Sequence, residues 1–399
     1  MKTDNFTFLC RTKTGFGTKA LDHLPFDLSS MGVTKPLVLI ERDAHLAGLA
    51  KPLVRAFKTS GMTLGLAPPI GESDPDPKLL KELYQIFIDK GFECTIALGT
   101  GPVADLAKAL NVAVSLGPAA LKSAHGPSWI TRPLKPLVYI PTGMGTGMEA
   151  GTTARMNLKT FDSAFLAPDL AVIDPAMMIP DPAPVLVNAG LTCLSVCCEA
   201  HAVSSNPLAR AYAGVGISLV MENLLPLLKQ PDPLDKPGKK TARGHGLAMT
   251  HASIITGIVL ASCRPLVTMT LGRLVADHTT ASLGQAMAAL LPAVLNFSAH
   301  DSPGLGDLAL PLLGVEQFSS LPAAQRPGRA ITQIQDLLNT LYRISSGTLP
   351  RTLADAGMDE KTILTLTQAL SSQDLDPGVI DLKQAGEILA HALDGRPVA

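Results

Sequence analysis

Two short apolar runs, each followed by a glycine-rich turn, most constrain what this chain can fold into. The first run spans 94–98 and enters a Gly-Thr-Gly turn at 99–101. The second run spans 137–140 and enters a turn at 141–147 that holds three glycines. A buried strand that ends in glycines and leads into a helix leaves backbone N–H groups open to a phosphate. Two such turns therefore predict a nucleotide at the edge of a parallel sheet.

The segment before residue 184 alternates between strand-type and helix-type patterns. Pro36 to Ile40 is a short apolar run typical of a buried strand. Asp43 to Thr59 and Lys78 to Lys90 place their apolar residues on one helical face. This alternation predicts a doubly wound, Rossmann-like α/β domain over residues 1–183.

The pattern changes after the proline-rich stretch Ile179 to Pro184, where a helix cannot easily continue. Long apolar segments with helical spacing follow, and strand-type alternation is absent. We therefore predict an all-helical domain over residues 184–399, with an exposed loop at Pro231 to Gly246. The predicted helices are Val185 to Ser204, Pro207 to Leu228, Leu247 to Arg264, Leu266 to His278, Leu283 to Phe297, Ala330 to Leu341 and Gln384 to Leu393.

The composition excludes several classes of protein. Of the 399 residues, 46% are hydrophobic and 17% are charged, so the chain can bury a large core and is not disordered. A net charge of −1 and the lack of a basic run argue against nucleic-acid binding. Six cysteines without a framework spacing are typical of reduced thiols, which predicts a cytoplasmic protein. The apolar stretch from Gly246 to Cys263 is interpreted as a buried helix, so no membrane partner is expected.

The two turns and a later segment together resemble the iron-containing alcohol dehydrogenase family. That family carries Gly-Gly-Gly-Ser-x-x-Asp-x-x-Lys and then Thr-Thr-x-Gly-Thr-Gly-Ser-Glu, and Asp105, Lys108 and Glu149 are among the matching residues. Ala167 to Pro175 resembles the next landmark, and three landmarks in order are a specific signal. The resemblance implies the dehydroquinate synthase-like fold, with the active site in a cleft between an α/β and a helical domain. It also implies an NAD(P)-dependent interconversion of an alcohol and an aldehyde or ketone, by a homodimer or larger homo-oligomer.

The resemblance assigns a set of residues to the dinucleotide. Glu41 follows the first clear strand, and an acidic residue there can bind ribose hydroxyls and repel a 2′-phosphate, which favours NAD over NADP. Arg42 beside it would tolerate that phosphate, so NADP stays open as the cofactor. Each of these residues also has a purely structural interpretation. The acidic residue fits a helix-dipole role, the glycines fit a plain turn, and Lys108 fits a surface position. A short segment at 149–168 predicts a trimmed hairpin beside the cofactor. The predicted cofactor-binding residues are Glu41, Gly99, Thr100, Gly101, Asp105, Thr142, Gly145 and Thr146.

The family holds a divalent metal with one Asp and three His, and this chain departs from that set. Gly190 and Glu199 fix one register, and the Leu-Leu-Pro at 290–292 fixes the other. In those registers the four ligand positions hold apolar or weakly polar residues, so we predict that no metal is bound. A new zinc site on Cys193 and Cys197 is the alternative, although cysteines in an apolar helix are more often core residues. The four positions hold Thr192, Val196, Met269 and Leu283.

Hydride transfer to a carbonyl needs a group that stabilises charge on the oxygen. Arg273 replaces a further family His near the nicotinamide, and Thr192 offers one weaker hydrogen bond. We therefore predict that both are catalytic and that the substrate is a small molecule, with an anionic group favoured by the guanidinium. Arg273 also fits a surface pair with Asp277 at i+4. An inactive nucleotide-binding or scaffold homologue is the main alternative, and elimination chemistry is disfavoured because relatives that perform it use a metal.

Overall fold

The structure is a computed structural model that describes residues 5–71, 77–123, 129–156, 159–229, 240–263, 266–298, 304–370 and 380–394. These residues divide into two compact units. The α/β unit comprises the described residues of Leu9–Asp181 and Pro231–Thr250. The helical unit comprises those of Met1–Phe8, Pro182–Gln230 and His251–Ala399.

The α/β unit is built on a six-stranded sheet in which every pairing is parallel, with the strand order β1-β8-β5-β4-β2-β3. A separate antiparallel hairpin is formed by β6 and β7. The predicted parallel sheet is therefore confirmed, and β1, β3 and β8 extend it beyond the three strands predicted. The strands are β1 Lys13–Phe16, β2 Pro36–Ile40, β3 Gly65–Leu66, β4 Cys94–Gly99, β5 Leu137–Pro141, β6 Thr153–Met156, β7 Lys159–Asp162 and β8 Leu170–Ile173.

Helices cover both faces of this sheet because its strands alternate their side chains between the faces. Val38 and Ile40 of β2 pack in one apolar cluster with the first three helices. Leu37 and Leu39 of the same strand pack in another cluster with the next two. Burial on both faces is what a doubly wound parallel sheet requires. These helices are α1 Leu24–Ser30, α2 Arg42–Leu46, α3 Ala50–Ala56, α4 Pro77–Lys90 and α5 Gly101–Leu116.

Two local predictions for the α/β unit need correction or refinement. The helix predicted from Asp43 to Thr59 is wrong as a single element, because the chain turns at Gly48, where φ is +77°, and separates α2 from α3. Glycine adopts this left-handed conformation without strain, so the apolar periodicity continues across a break that it does not reveal. The hairpin beside the predicted cofactor site has four residues in each strand, and its trimming relative to the family stays a prediction.

The described part of the helical unit contains helices and no strand. The loop predicted from Pro231 to Gly246 is wrong at its end, because α8 already begins at Lys240; residues 231–239 lie outside the described residues. Three helices, α11, α12 and α14, were not predicted from the sequence pattern. Helix α8 is divided between the units, because its residues up to Thr250 belong to the α/β unit. The helices from α6 onward are α6 Ala183–Val203, α7 Pro207–Leu228, α8 Lys240–Ser262, α9 Val267–His278, α10 Leu283–Ser298, α11 Ala309–Leu313, α12 Val315–Ser320, α13 Arg326–Ile344, α14 Glu360–Ala369 and α15 Leu382–Asp394.

Helix α10 contributes several residues to an apolar cluster of the helical unit. Leu290 and Val294 of α10 pack there with Leu271 of α9, Leu366 of α14 and Leu389 of α15. By length and composition alone, three helices could span a membrane, and the apolar window is 78% buried in Ala183–Val203, 33% in Pro207–Leu228 and 50% in Gly244–Ser262. The first of these is therefore mainly a core helix of its unit.

Candidate functional site

Three neighbouring strands of the sheet end side by side. Residue Ile40 of β2 is paired with Leu98 of β4, which is paired with Ile140 of β5. The residues that follow these positions therefore lie along one edge of the sheet. They include the two glycine turns and Glu41, so the edge predicted from the sequence exists as one continuous feature.

The first glycine turn is closed by a carboxylate of the chain itself. Glu41 is buried, with 4% of its surface exposed, and its Oε2 accepts the N–H of Thr100 at 2.9 Å. The hydroxyl of Thr100 donates to Oε1 at 2.5 Å. A side chain at Gly99 would meet Glu41, because a Cβ there would lie 2.6 Å from the Glu41 Cβ. Glycine at 99 thus makes room for the carboxylate that binds the turn.

Helix α5 begins at this turn and points its N-terminus towards the edge. Its first-turn N–H groups have no acceptor inside the helix, and Pro102 contributes none. Around Gly101 there is open space, since a Cβ built on it meets no atom within 4 Å. The positive end of the helix dipole and this open face together fit an anionic phosphate.

A second carboxylate closes the second glycine turn. Asp181 accepts the N–H of Met144 at 2.6 Å, and any side chain at Gly143 would overlap its carboxylate. The N–H of Ile179 donates to the carbonyl of Thr142 at 2.7 Å, so two hydrogen bonds hold segment 179–181 against this turn. Each glycine turn therefore binds an acidic side chain from a different part of the chain.

The carboxylate at the first turn acts on the one at the second turn. Burial raises the pKa of Asp181 to about 6, the hydrogen bond from Met144 opposes the rise, and the charge of Glu41 adds to it. The pKa of Tyr139 lies well above its usual range because the phenol is buried and faces several carboxylates, those of Glu149 and Glu41 among them. Tyr139 donates its hydroxyl to the Gly99 carbonyl at 3.2 Å. The edge thus carries two carboxylates, and its donors are backbone N–H groups and the hydroxyls of Thr100 and Tyr139.

Lys108 connects the two turns and is not the surface residue that its sequence position allows. It is fully buried on α5, and its Nζ donates to the carbonyls of Gly151 at 2.8 Å and Thr153 at 2.9 Å. Burial lowers its pKa to about 8, although the nearby carboxylates of Asp105 and Glu149 oppose this. A buried ammonium that binds the chain just after the second turn fixes that segment against the helix that follows the first.

The predicted cofactor residues do not all face the edge. Asp105 turns towards the hairpin, where it accepts the N–H of Arg155 at 2.9 Å. Gly145 and Thr146 lie in the second turn and are partly exposed, and Thr142 is buried. The structure therefore brings Glu41, Gly99, Thr100, Gly101 and Thr142 together at one edge and places Asp105 behind it.

The predicted catalytic residue Thr192 lies in the helical unit, on α6. It is buried, and its hydroxyl donates to the carbonyl of Asn188 at 2.8 Å. A Cβ at Gly284 would lie 2.8 Å from that hydroxyl oxygen, and the N–H of Gly284 donates to the Asn188 amide oxygen at 2.8 Å. Helices α6 and α10 thus meet at Thr192 and Gly284, beside Leu283, so two of the four positions that the resemblance assigns to metal ligands are neighbours.

The other predicted catalytic residue, Arg273, is half-buried on α9. The start of this helix is held by Glu199 of α6, which accepts the N–H of Val267 at 2.6 Å and both the N–H and the hydroxyl of Thr268. Burial raises the pKa of Glu199, and these hydrogen bonds oppose the rise. Sequence reasoning used Glu199 only to fix a register, whereas the structure shows that it positions the helix that carries Arg273.

The side chains at the four family ligand positions do not fit a divalent ion. Thr192 uses its proton on a backbone carbonyl, and Val196 is a fully buried apolar residue. In the described part of the chain, no group of three or more His, Cys, Asp or Glu comes together as a ligand set, the cysteines of α6 included. Burial raises the pKa values of Cys197 and Cys198, which disfavours the thiolate that zinc requires. The absence of a metal stays a prediction.

Asp181 and the buried state of Lys108 were missed by sequence reasoning. Lys108 lies among apolar residues of α5 on both sides, Ala107 and Ala109, and that setting is a usable signal for burial. Asp181 lies in the proline-rich stretch that was interpreted as a domain boundary. No local pattern pairs it with a turn some 37 residues earlier, so only the folded chain reveals the contact.

A parallel sheet with two glycine turns at one edge, joined to a helical unit, defines the class of dinucleotide-binding α/β proteins. The family model for iron-containing alcohol dehydrogenase matches residues 11–175. This match lies within the α/β unit of the chain. The family and the fold predicted from the sequence are thereby confirmed.

Relatives and solved structures agree with this assignment. The NAD-dependent methanol dehydrogenase of Bacillus methanolicus is 24% identical over 52% of this chain, which spans 56% of that relative's length. The probable alcohol dehydrogenase EutG of Salmonella typhimurium is 27% identical over 73% of each protein. The crystal structure of a 1,3-propanediol oxidoreductase superposes on 98% of this chain and 100% of its own, with a TM-score of 0.82 and 19% identity. The fold of that oxidoreductase thus extends over nearly the whole length of this chain.

Proposed function

We propose that this chain is an NAD-dependent oxidoreductase that interconverts a small alcohol and the corresponding aldehyde or ketone. Family membership supports this, and one relative is named as an NAD-dependent methanol dehydrogenase. The carboxylate of Glu41 at the end of β2 favours NAD, because a negative charge there repels the 2′-phosphate of NADP. When bound, the nicotinamide supplies the hydride acceptor or donor.

The observation that carries the proposal is the open N-terminus of α5 at Gly101. The pyrophosphate of a dinucleotide fits this face, where the helix dipole and first-turn N–H groups favour an anion. Glu41 now accepts from Thr100, so a bound dinucleotide competes for that donor. On release from Thr100, the carboxylate can accept the ribose hydroxyls of the adenosine half.

Arg273 is the residue that we propose to stabilise the substrate oxygen. A guanidinium can hold a developing alkoxide or bind an anionic group of the substrate. Thr192 lies in the same unit, and its hydroxyl would have to leave the Asn188 carbonyl before it could donate to the substrate oxygen. No step is assigned to a metal, because the residues at the family ligand positions do not fit one.

We further propose that the protein acts as a homo-oligomer in the cytoplasm. All six cysteines are free thiols, five of them buried, which suits a reducing compartment. The resemblance to the family implies the oligomer, and size-exclusion chromatography with light scattering measures it.

The test of the proposed function is a fluorescence titration of the full chain with NADH. Gly101→Val places a side chain over the face that receives the pyrophosphate, so we expect it to weaken NADH binding at least tenfold. Gly328→Val is the matched control, because Gly328 of α13 also has open space around it and lies far along the chain from both turns. Equal NADH affinity for the Gly101 variant and the wild type would show that the dinucleotide binds elsewhere. No binding by the wild type would refute the proposal.

A further inference from the structure

The strand order fixes which half of a bound dinucleotide lies over each strand. In the proposed function, Glu41 after β2 takes the adenosine ribose and the turn after β4 takes the pyrophosphate. Strand β5 is the neighbour of β4 on the side away from β2, about 4.8 Å further along the sheet. The nicotinamide half therefore extends over the end of β5, where the second glycine turn lies.

Asp181 is fixed at this second turn. Its carboxylate accepts the N–H of Met144 at 2.6 Å and takes the space that a side chain at Gly143 would need. The neighbouring bond between Ile179 and Thr142 holds its segment in place. The position of this carboxylate therefore depends on backbone contacts rather than on a flexible side-chain network.

The charge on Asp181 is not balanced by a cation of the described residues. The groups that act on it are the Met144 N–H and the carboxylate of Glu41, with Tyr139 facing the same carboxylates. Its pKa of about 6 leaves it ionised at neutral pH. A partly buried carboxylate of this kind is stabilised when a positive charge is brought beside it.

We propose, on the basis of the proposed function, that Asp181 determines which redox form of the cofactor this chain prefers. Its carboxylate makes the chain bind the oxidised form, whose nicotinamide ring is a cation, more tightly than the reduced form, whose ring is neutral. Two opposite charges a few ångströms apart near a protein surface attract enough to change Kd about tenfold. Asp181 is thus a specificity-determining residue.

The preference depends on pH in a defined direction. Protonation removes the charge, so the affinity for NAD⁺ falls as the pH drops from 7.5 to 5, through the pKa of about 6. The neutral ring of NADH gives no such dependence through Asp181. Tyr139 stays protonated over this interval because its pKa is raised. A variant that lacks only the Asp181 charge separates its effect from that of Glu41.

The experiment measures Kd for NAD⁺ and NADH on the full chain at pH 7.5 and pH 5. Asp181→Asn keeps an oxygen that accepts from Met144 but removes the charge. Glu82→Gln removes the same charge from an exposed position on α4 and serves as the control. We expect Asp181→Asn to weaken NAD⁺ binding about tenfold at pH 7.5, to leave NADH within twofold and to lose the pH dependence. Glu82→Gln is expected to match the wild type.

An unchanged ratio of the two Kd values in Asp181→Asn overturns the inference while leaving the proposed function intact. If Asp181→Asn does not fold, Asp181→Ser replaces it, because that variant also removes the charge. The ratio of the Kd values for NAD⁺ and NADH is then measured on Asp181→Ser and tests the inference in the same way. If the wild type binds neither form, the proposed function is wrong and the inference falls with it.

Discussion

Both units of this chain bury carboxylates on backbone N–H groups, but they do so to different degrees. In the helical unit, Glu199 is 1% exposed and accepts three hydrogen bonds from two successive residues at the start of α9. In the α/β unit, Asp181 accepts one backbone N–H and keeps part of its surface exposed. A fully satisfied carboxylate holds a core together, whereas a partly satisfied one can exchange its partner for a ligand.

The same contrast separates the two sets of predicted functional residues. The turns at the sheet edge offer backbone donors at helix and loop starts, and these keep their anion-binding character whatever the side chains are. The region of Thr192 depends on side chains, and there a threonine and close helix packing at Gly284 stand where the family has ligands. We therefore expect backbone-based binding to survive sequence divergence that replaces a side-chain-based site.

The largest effect is expected from Glu199→Ala. Removing the carboxylate leaves the N–H groups of Val267 and Thr268 buried without their acceptor, so we expect the free energy of unfolding to fall by about 3 kcal/mol. Urea denaturation followed by circular dichroism measures it. Glu222→Ala, at an exposed position on α7, is the control and should change stability by less than about 0.5 kcal/mol. A fall in the free energy of unfolding of less than about 0.5 kcal/mol in Glu199→Ala would mean that the start of α9 is stable without this acceptor.

Arg273→Ala tests the helical unit through activity rather than stability. Loss of the guanidinium removes the proposed stabilisation of charge on the substrate oxygen, so kcat/KM should fall about 100-fold, equal to about 2.7 kcal/mol. The loss in stability should be small, because the residue is only half-buried. Activity is measured as NADH formation or consumption with a panel of small alcohols and aldehydes.

Two controls sharpen the Arg273 experiment. Arg273→Lys keeps the charge but loses the planar fork, so we expect it to retain part of the activity that Ala loses. Treatment of the wild type with a chelator should leave its rate unchanged, and elemental analysis of the purified protein should find no stoichiometric metal. Full activity in Arg273→Ala, or activity that disappears with the chelator, would contradict the proposed role.

Much of the fold follows from local patterns that can be seen in the sequence. The strands at 94–99 and 137–141 are apolar except for Thr95 and end at glycine or proline, and α7 begins at Pro207 and ends at Leu228 as its periodicity predicts. Edge strands are harder to predict from the sequence. Strands β1 and β3 are only four and two residues long, and β1 carries no continuous apolar run. The break at Gly48 escapes prediction because a single glycine interrupts a helical pattern without altering its period.

The site was predictable as a location but not in its contacts. The two turns and Glu41 were named from the sequence, since each lies directly after a strand. That Glu41 binds Thr100, some 59 residues later, follows from the pairing of β2 with β4 and from the length of a glutamate side chain. Such contacts between distant segments depend on sheet register, which local patterns do not carry.

The smallest effect is expected from Glu41→Gln, and it tests the edge of the α/β unit directly. The amide keeps an oxygen for the N–H of Thr100 but removes the charge that repels a 2′-phosphate. We expect the affinity for NADPH to rise about fivefold relative to NADH, which fluorescence titration measures. Asp43→Asn removes an exposed charge two residues away on α2 and should leave the ratio unchanged. If Glu41→Gln instead lowers the melting temperature and leaves the NADPH to NADH ratio as it was, Glu41 stabilises the turn and does not select the cofactor. The edge of the α/β unit would then hold a structural carboxylate like Glu199, and the contrast between the two units would rest on Asp181 alone.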